Sequence, residues 1–271
     1  QRLYKDHTMK KYLVIGNPIE HSLSPLLHNY WIKENNIDGV YEKKQANIDD
    51  LPNIILQIKK KQIQGINVTV PFKKAVIPFL DRLSYEASNT QSVNTIYLED
   101  NKVVGHNTDI EGFEQSIKIS KFNLLNKKIL ILGAGGVVPS IIFALSKMNV
   151  SEITISNRTK KNAQSLKDLF KNINIIDWGE VPECDVIINA TSLGLKKDDK
   201  INLNFSEIGK NKFFYDVIYK PKETHFLKIG KKLGNKVANG KLMFIYQALG
   251  AFKIWHEIEI NIDNQVLDIL D

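Results

Sequence analysis

The chain has 271 residues, 43% of them hydrophobic, with 37 basic against 30 acidic side chains and a formal charge of +7. That length and composition suit one large or two modest domains and exclude a disordered chain. The lysines are scattered among acids, so a small anionic substrate and cofactor account for the basic balance with less assumption than nucleic acid. Cys184 is the single cysteine, which excludes a disulfide framework and points to a reducing, cytoplasmic setting. The longest apolar stretches are strand-sized, far short of the roughly 20 residues of a membrane span. The six histidines show no metal-ligand spacing, so no metal site is expected. Gln1 to Thr8 read as a foreign leader before a natural start at Met9, with no signal peptide. Arg2, Lys5 and Asp6 give that leader a net +1, leaving +6.

In chain order, residues 11–16 read as a first strand. A helix follows, with Ser24 as N-cap, Pro25 in its first turn and Leu26, Leu27, Tyr30 and Trp31 on its apolar face. Ser22 and Ser24, two apart at a positive helix end, can both donate to a carboxylate. Residues 40–46 suit a second strand, and residues 48–61 a helix with Leu51, Ile54, Ile55 and Ile58 inward. Ile66, Val68 and Val70 alternate as a strand that Pro71 ends, and a helix can begin at that proline. Asn67 and Thr69 fall on the opposite face with Lys73 just beyond, where α/β sheets bind ligands. Alone, Lys73 reads as one solvated surface charge among many. Residues 92–98 and 103–109 form a hairpin leading into a helix from Ile110, with Asp109 in ordinary capping sequence.

Residues 127–132 are a short apolar run with charge only at the entry, as in a strand buried on both faces of a parallel sheet. Gly133, Ala134, Gly135, Gly136 and Val137 then open a helical pattern running to residue 148. Strand, glycine turn and helix N-terminus make an anion site for a dinucleotide pyrophosphate. A tight turn in the core explains the glycines equally well, and Val138 stands where a third glycine or alanine is usual. The end of the next strand, residues 152–156, decides between these readings. An NAD-binding unit carries an acid there for the ribose 2′-OH, whereas Asn157, Arg158, Thr159 and Lys160 offer two cations and no carboxylate, which fits the 2′-phosphate of NADP. Cations at the start of a helix capped by Thr159 oppose its dipole, which favours the ligand reading. Helix 160–170 and strands 173–176, 185–190 and 213–218 follow. A last long helix, residues 242–254, carries Met243, Tyr246, Leu249 and Phe252 as its core stripe.

Gly16-Asn-Pro-Ile with His21-Ser-Leu-Ser-Pro, Asn67-Val-Thr-Val-Pro-Phe-Lys, Val93-Asn-Thr and Asn107-Thr-Asp closely resemble the shikimate dehydrogenase family. The likeness continues through Gly133-Ala-Gly-Gly, Asn157-Arg-Thr, Asn189-Ala-Thr-Ser, Tyr215-Asp-Val-Ile-Tyr, Asn239-Gly and Gln247, from residue 11 to about residue 255. Gln91-Ser92 depart from it, standing where the family usually has Gly-Ala before Val-Asn-Thr. The resemblance implies a two-domain α/β fold. A substrate domain with a mainly parallel sheet (residues 9–110 plus 240–271) joins a Rossmann-type doubly wound NADP-binding domain (residues 111–239).

The implied activity is reversible NADPH-dependent reduction of 3-dehydroshikimate to shikimate, in chorismate and aromatic amino-acid biosynthesis. By the same resemblance Lys73, paired with Asp109, transfers the proton that accompanies hydride. Ser22, Ser24 and Tyr219 hold the substrate carboxylate, while Asn67, Thr69, Asn94, Asp109 and Gln247 read ring hydroxyls. Thr191, Val217 and Gly240 join residues 133–137 and 157–160 around the cofactor. The small molecule is then the partner, with no nucleic acid or membrane, in a monomer or homodimer. The rival readings are a broader quinate/shikimate dehydrogenase and, in another class, a non-catalytic dinucleotide-binding sensor.

Overall fold

The structure, a computed structural model, describes residues 9–271; residues 1–8, expected to be a foreign leader, lie outside the described residues. Its internal contacts divide the chain into two units, one running to Thr108 and resuming at Ala248–Asp271, the other Asp109–Gln247.

Among the described residues, the first unit holds β1 (Lys10–Gly16), β2 (Gly39–Gln45), β3 (Gly65–Val68), β4 (Arg82–Leu83), β5 (Thr95–Glu99) and β6 (Lys102–His106), in the order β2-β1-β3-β5-β6-β4. Strand β1 pairs in parallel with β2 and β3, whereas β5 runs antiparallel to β3 and β6. The β5–β6 turn puts Asp100 and Asn101 at φ 50° and 61°, the left-handed pair that matches the twist of a two-residue hairpin. Helices α1 (Ser24–Glu34), α2 (Leu51–Lys59) and α3 (Tyr85–Thr90) complete the connections. Leu51, Ile54, Ile55 and Ile58 of α2 form the expected inward stripe and pack with Leu13, Ile15, Ile66, Val68 and Ile96.

Side chains on β1 alternate between faces, so Tyr12 turns away from Leu13 and Ile15 into an aromatic layer. There Tyr12 meets Trp255 and His256. His28 stacks on Tyr41, ring centroids 4.3 Å apart and planes 4° from parallel, with Trp31 and Trp255 around it. Burial pushes the His28 imidazole down to about 3 and His256 to about 4.

The second unit holds α4 (Asp109–Ser120), β7 (Lys128–Leu132), α5 (Val138–Lys147), β8 (Glu152–Ser156), α6 (Lys160–Leu169), β9 (Asn174–Ile176), β10 (Val186–Asn189), β11 (Phe213–Asp216), α7 (His225–Lys232) and β12 (Lys236–Ala238). Its described strands run β12-β11-β10-β7-β8-β9, all in parallel, the doubly wound order with a reversal between β7 and β10. Ile129 and Ile131 of β7 pack with Val138, Ile141 and Leu145 of α5, so Val138 at the third fingerprint position is core material. The unit boundary falls within α8 (Lys241–His256), and α9 (Asn264–Ile269) ends the chain.

Several local readings change. Helix α1 begins at Ser24 itself, with Leu23 in the cap position and no side chain capping it, and the Ser24 amide donates to Ser22 Oγ at 3.3 Å. Strand β3 stops at Val68; Val70 is exposed, and no α-helix starts at Pro71, where turns lead to a 3₁₀ segment at Ile77–Phe79. In α8 the buried hydrophobic set is Met243, Ile245, Ala248, Ala251 and Phe252, leaving Tyr246 and Leu249 half-buried. A helix whose neighbours change along its length does not present one stripe throughout.

The buried His28 gives stability an acid dependence of definite sign. His28 folds neutral but unfolds to a group of ordinary pKa near 6.5, so its contribution falls as pH drops below about 6.5 and is fully lost near its folded value of about 3. Between pH 7 and 5 that loss is about 2 kcal/mol. His28→Phe, which keeps the stacked ring, should recover most of it in denaturant titrations at the two pH values; parallel losses in wild type and variant would refute the assignment.

Candidate active site

In the first unit the register of β1 and β3, Ile15 against Val68, brings both strands to a common C-terminal edge. There the Thr69 amide donates to Ile15 O at 3.0 Å, and the Asn17 amide to Val70 O at 3.1 Å. A buried hydrogen-bond network lies along this edge. Tyr41 Oη donates to Asn67 Oδ1 at 2.8 Å and is also hydrogen-bonded to Ser24. Asn67 Nδ2 donates to Asn94 O at 3.0 Å and to Thr95 Oγ1 at 3.2 Å. An amide nitrogen carries two protons, so both are used, and Asn67 can meet a ligand only as an acceptor through Oδ1. Asn94 Oδ1 accepts from Thr95 Oγ1 at 2.9 Å and from the Thr108 amide at 2.8 Å, while Asn94 Nδ2 donates to Thr108 Oγ1 at 2.8 Å.

Thr108 immediately precedes Asp109, the buried first residue of α4. Lys73 is half-buried, and its carbonyl accepts the Val93 amide at 2.8 Å, which fixes its main chain next to Asn94. Gln91 adopts φ 49°, ψ 39°, a left-handed backbone that favours glycine, at the position where the resemblance leads one to expect glycine. Its Nε2 donates to Ser88 O at 2.7 Å, and Asn107 Nδ2 holds Ser92 O at 3.1 Å, so the departure leaves the path to Asn94 well bonded.

In the second unit, β7 and β10 pair Leu132 with Asn189, so the turns after them leave the sheet side by side at the topological switch point. Gly133 has φ +114°, and a Cβ there would stand 2.9 Å from Ala190 O; the fold itself demands this glycine. Gly135 differs, because a Cβ would meet nothing within 4 Å and its φ is not left-handed. Its bare backbone faces open space at the start of α5, as close approach of a phosphate requires. Ala134, Gly136 and Val137 complete this turn, with Val137 in the cap position and no side chain capping the helix.

Behind the second turn sits another network. Asn189 Oδ1 accepts from Thr191 N at 3.0 Å and Thr191 Oγ1 at 2.7 Å, and Asn189 Nδ2 donates to Asp216 Oδ1 at 3.0 Å. Asp216 also accepts from the Ile218 amide and from Thr224 Oγ1. Burial pushes its carboxyl up to about 6 against the pull of those donors. The network braces Thr191 and the segment carrying Val217 and Tyr219. Burial pushes the Tyr219 phenol up to about 12, so it is a protonated donor at neutral pH. The Gly240 amide donates to Ile218 O at 3.2 Å. Gln247 is half-buried on α8 where Gly112 of α4 approaches its main chain.

After β8, Asn157 Nδ2 donates to Thr159 O at 2.9 Å, and Thr159 occupies the cap position without a side-chain bond. Arg158 lies over the Trp178 ring, 5.5 Å from its centroid. Lys160 Nζ is 3.1 Å from Asp177 Oδ1, a carboxylate that inspection of residues 157–160 alone misses.

The structure thus gathers Ser24, Asn67 and Asn94 into one network with Thr69 and Lys73 at its margin, all in the first unit. Residues 133–137, 157–160, Thr191, Val217, Tyr219 and Gly240 belong to the second, with Asp109 and Gln247. Sequence inspection missed Tyr41, Asp177 and Trp178, and it gave no role to Thr95, Thr108, Asn189 and Asp216, which it met only as members of motifs. The contacts that join Tyr41 to Asn67, Asn189 to Asp216 and Lys160 to Asp177 link residues distant in the chain, so no spacing rule marks them.

A doubly wound parallel sheet with a glycine turn at its switch point defines the second unit as a dinucleotide-binding α/β unit. Residues 14–96 match the family model of the shikimate dehydrogenase substrate binding domain, and residues 116–214 that of shikimate / quinate 5-dehydrogenase. The chain is 57% identical to the shikimate dehydrogenase (NADP(+)) of Pelagibacter ubique (strain HTCC1062), over 97% of this chain and 99% of that one. Among solved structures, shikimate 5-dehydrogenase from Thermus thermophilus in complex with NADP(H) and shikimate matches with TM-score 0.85 and 30% identity, covering 93% and 95% of the two chains. The Listeria monocytogenes enzyme in complex with shikimate and NAD matches with TM-score 0.89 and 28% identity, covering 100% and 99%. The chain belongs to the shikimate dehydrogenase family.

The two glycines of the turn make separable predictions. Gly133→Ala should cost about 1–3 kcal/mol in denaturant unfolding, through strain and contact with Ala190. Gly135→Ala should change stability by no more than about 0.5 kcal/mol yet weaken nucleotide binding severalfold in titration calorimetry. Undiminished binding by Gly135→Ala would remove the phosphate from this turn.

Proposed function

We propose that this chain catalyses the reversible reduction of 3-dehydroshikimate to shikimate with NADPH, a step in aromatic amino-acid biosynthesis in the cytoplasm. The observation that supports the reading best is the buried network of Ser24, Tyr41, Asn67, Asn94 and Thr108. Such fixed hydroxyls and acceptors suit a polyhydroxylated ring, and they discriminate strongly against analogues that leave them unpaired. In this reading the substrate domain is residues 9–110 plus 240–271, the cofactor domain is residues 111–239, and the protein works as a monomer or homodimer.

NADPH, when bound, supplies hydride to the carbonyl carbon. Lys73 hands a proton to the oxygen as it becomes an alkoxide, and its ammonium charge offsets the negative charge developing there. Asp109 is the carboxylate partner that orients this ammonium. Ser22, Ser24 and Tyr219 donate to the substrate carboxylate; no arginine belongs to this set, so hydroxyls and the α1 N-terminus carry the anion. Asn67 accepts from a ring hydroxyl, and Thr69, Asn94, Asp109 and Gln247 pair with the others. Residues 133–137 hold the pyrophosphate, Asn157, Arg158, Thr159 and Lys160 the adenosine 2′-phosphate, and Thr191, Val217 and Gly240 border the dinucleotide.

A broader reading has specific support: one matching family model covers quinate as well as shikimate, and one similar structure holds NAD. Turnover of shikimate and quinate with NADP and NAD, followed at the nicotinamide absorbance, separates the readings, and failure to oxidise shikimate with NADP would end the main one.

Lys73→Ala should lower turnover by about 10²–10⁴-fold while changing the dissociation constant of shikimate far less. Equal losses in both would make Lys73 a binding group. Tyr41→Phe removes the donor to Asn67 and the bond to Ser24. It should raise the KM for shikimate by about fivefold, the scale of one buried hydrogen bond, with turnover nearly kept; an unchanged KM would show that Tyr41 does not support the site.

A further inference from the structure

The loops after β8 and β9 leave the second sheet from paired positions, Ser156 against Ile176. Because the strands are parallel, residues 157–160 and residues 177–178 emerge at the same edge. This register brings Arg158 over the Trp178 ring at 5.5 Å and Lys160 Nζ to 3.1 Å from Asp177 Oδ1. The two contacts differ in kind. Trp178 is half-buried and packs against the core cluster of Phe205, Phe214 and Ile187, so its ring is a fixed platform. The Lys160–Asp177 pair is open to water, with 73% and 67% of the side chains exposed, and such pairs contribute little to folding.

We propose that Trp178 and Asp177 are positioning residues that set, in opposite directions, how strongly this chain prefers a 2′-phosphorylated adenosine nucleotide. The inference rests on the reading of residues 157–160 as the 2′-phosphate site. A guanidinium held over an aromatic face by cation–π attraction keeps donors free for a phosphate and loses less freedom on binding one. Trp178 therefore strengthens the preference. Asp177 engages the second cation and places a negative charge beside the incoming phosphate, so it weakens the preference. The pair is a moderator: Lys160 must exchange a carboxylate for a phosphate when the nucleotide binds.

The test is titration calorimetry of the full-length chain with 2′,5′-ADP and with 5′-AMP, which differ in the 2′-phosphate alone. Asp177→Asn, at an exposed position, should increase the affinity ratio of 2′,5′-ADP over 5′-AMP by about two- to fivefold, with 5′-AMP unchanged and the gain diminished in high salt. Trp178→Leu, which stays apolar but removes the π face, should reduce the ratio by about two- to fivefold, and Trp178→Phe, which keeps a π face, should retain most of it. A ratio unmoved by both Asp177→Asn and Trp178→Leu, or one that falls in Asp177→Asn, overturns the inference while leaving the cofactor reading intact. A wild-type chain that binds the two nucleotides equally overturns the cofactor reading itself, and the inference with it.

Discussion

A parallel sheet buries the middle of its strands on both faces and releases its chain only at the ends, so polar groups that must reach a ligand collect at the C-terminal edges. Both units of this chain follow that constraint. In the first, β1 finishes at Gly16 and β3 at Val68, and Asn67 and Thr69 stand at that edge. In the second, Leu132 against Asn189 sets the glycine turn beside the turn of Thr191, and Ser156 against Ile176 sets Arg158 beside Trp178. Three strand registers thus account for most of the neighbours that matter, and each is secured by the apolar runs behind it.

What the edges present is polar and largely buried, a combination that is costly unless every group is matched. An unsatisfied buried donor or acceptor costs about 1–3 kcal/mol, so the networks around Asn94 and Asp216 are conditions of folding as well as parts of a site. Their members hold each other in one orientation. Asn94 is fixed by Thr95 and Thr108, Asn67 by Tyr41, and Asn189 by Thr191 and Asp216. Rigid acceptors and donors of this sort carry specificity, because they cannot turn to accommodate a ring that lacks their partner. The same logic explains the tolerated departure at Gln91, whose left-handed backbone is offset by the bonds that Gln91 Nε2 and Asn107 make around it.

The proposed chemistry divides between these two kinds of edge. One unit contributes hydroxyls, amides and an ammonium suited to a small oxygenated acid, and the other a bare backbone turn and two cations suited to a phosphorylated dinucleotide. Neither half accounts for hydride and proton transfer alone, which is why a chain with both sets of motifs in family order reads as a dehydrogenase rather than as a binding module.

Much of this was determined by the sequence itself. Apolar runs at strand length, helical stripes such as Leu51-Ile54-Ile55-Ile58, glycines at a strand-to-helix turn and the motif series from Asn67 to Gln247 are local patterns, and local patterns survive without coordinates. Where local signals competed, the tertiary structure decided: Ser24 is the first residue of α1 and not its cap, Pro71 starts no helix, and α8 buries a mixed face because its surroundings change along its length. Tertiary structure alone assigned partners. Tyr41 to Asn67, Asn189 to Asp216 and Lys160 to Asp177 join residues far apart in the chain, and which meets which follows from strand register, a property that no single segment carries.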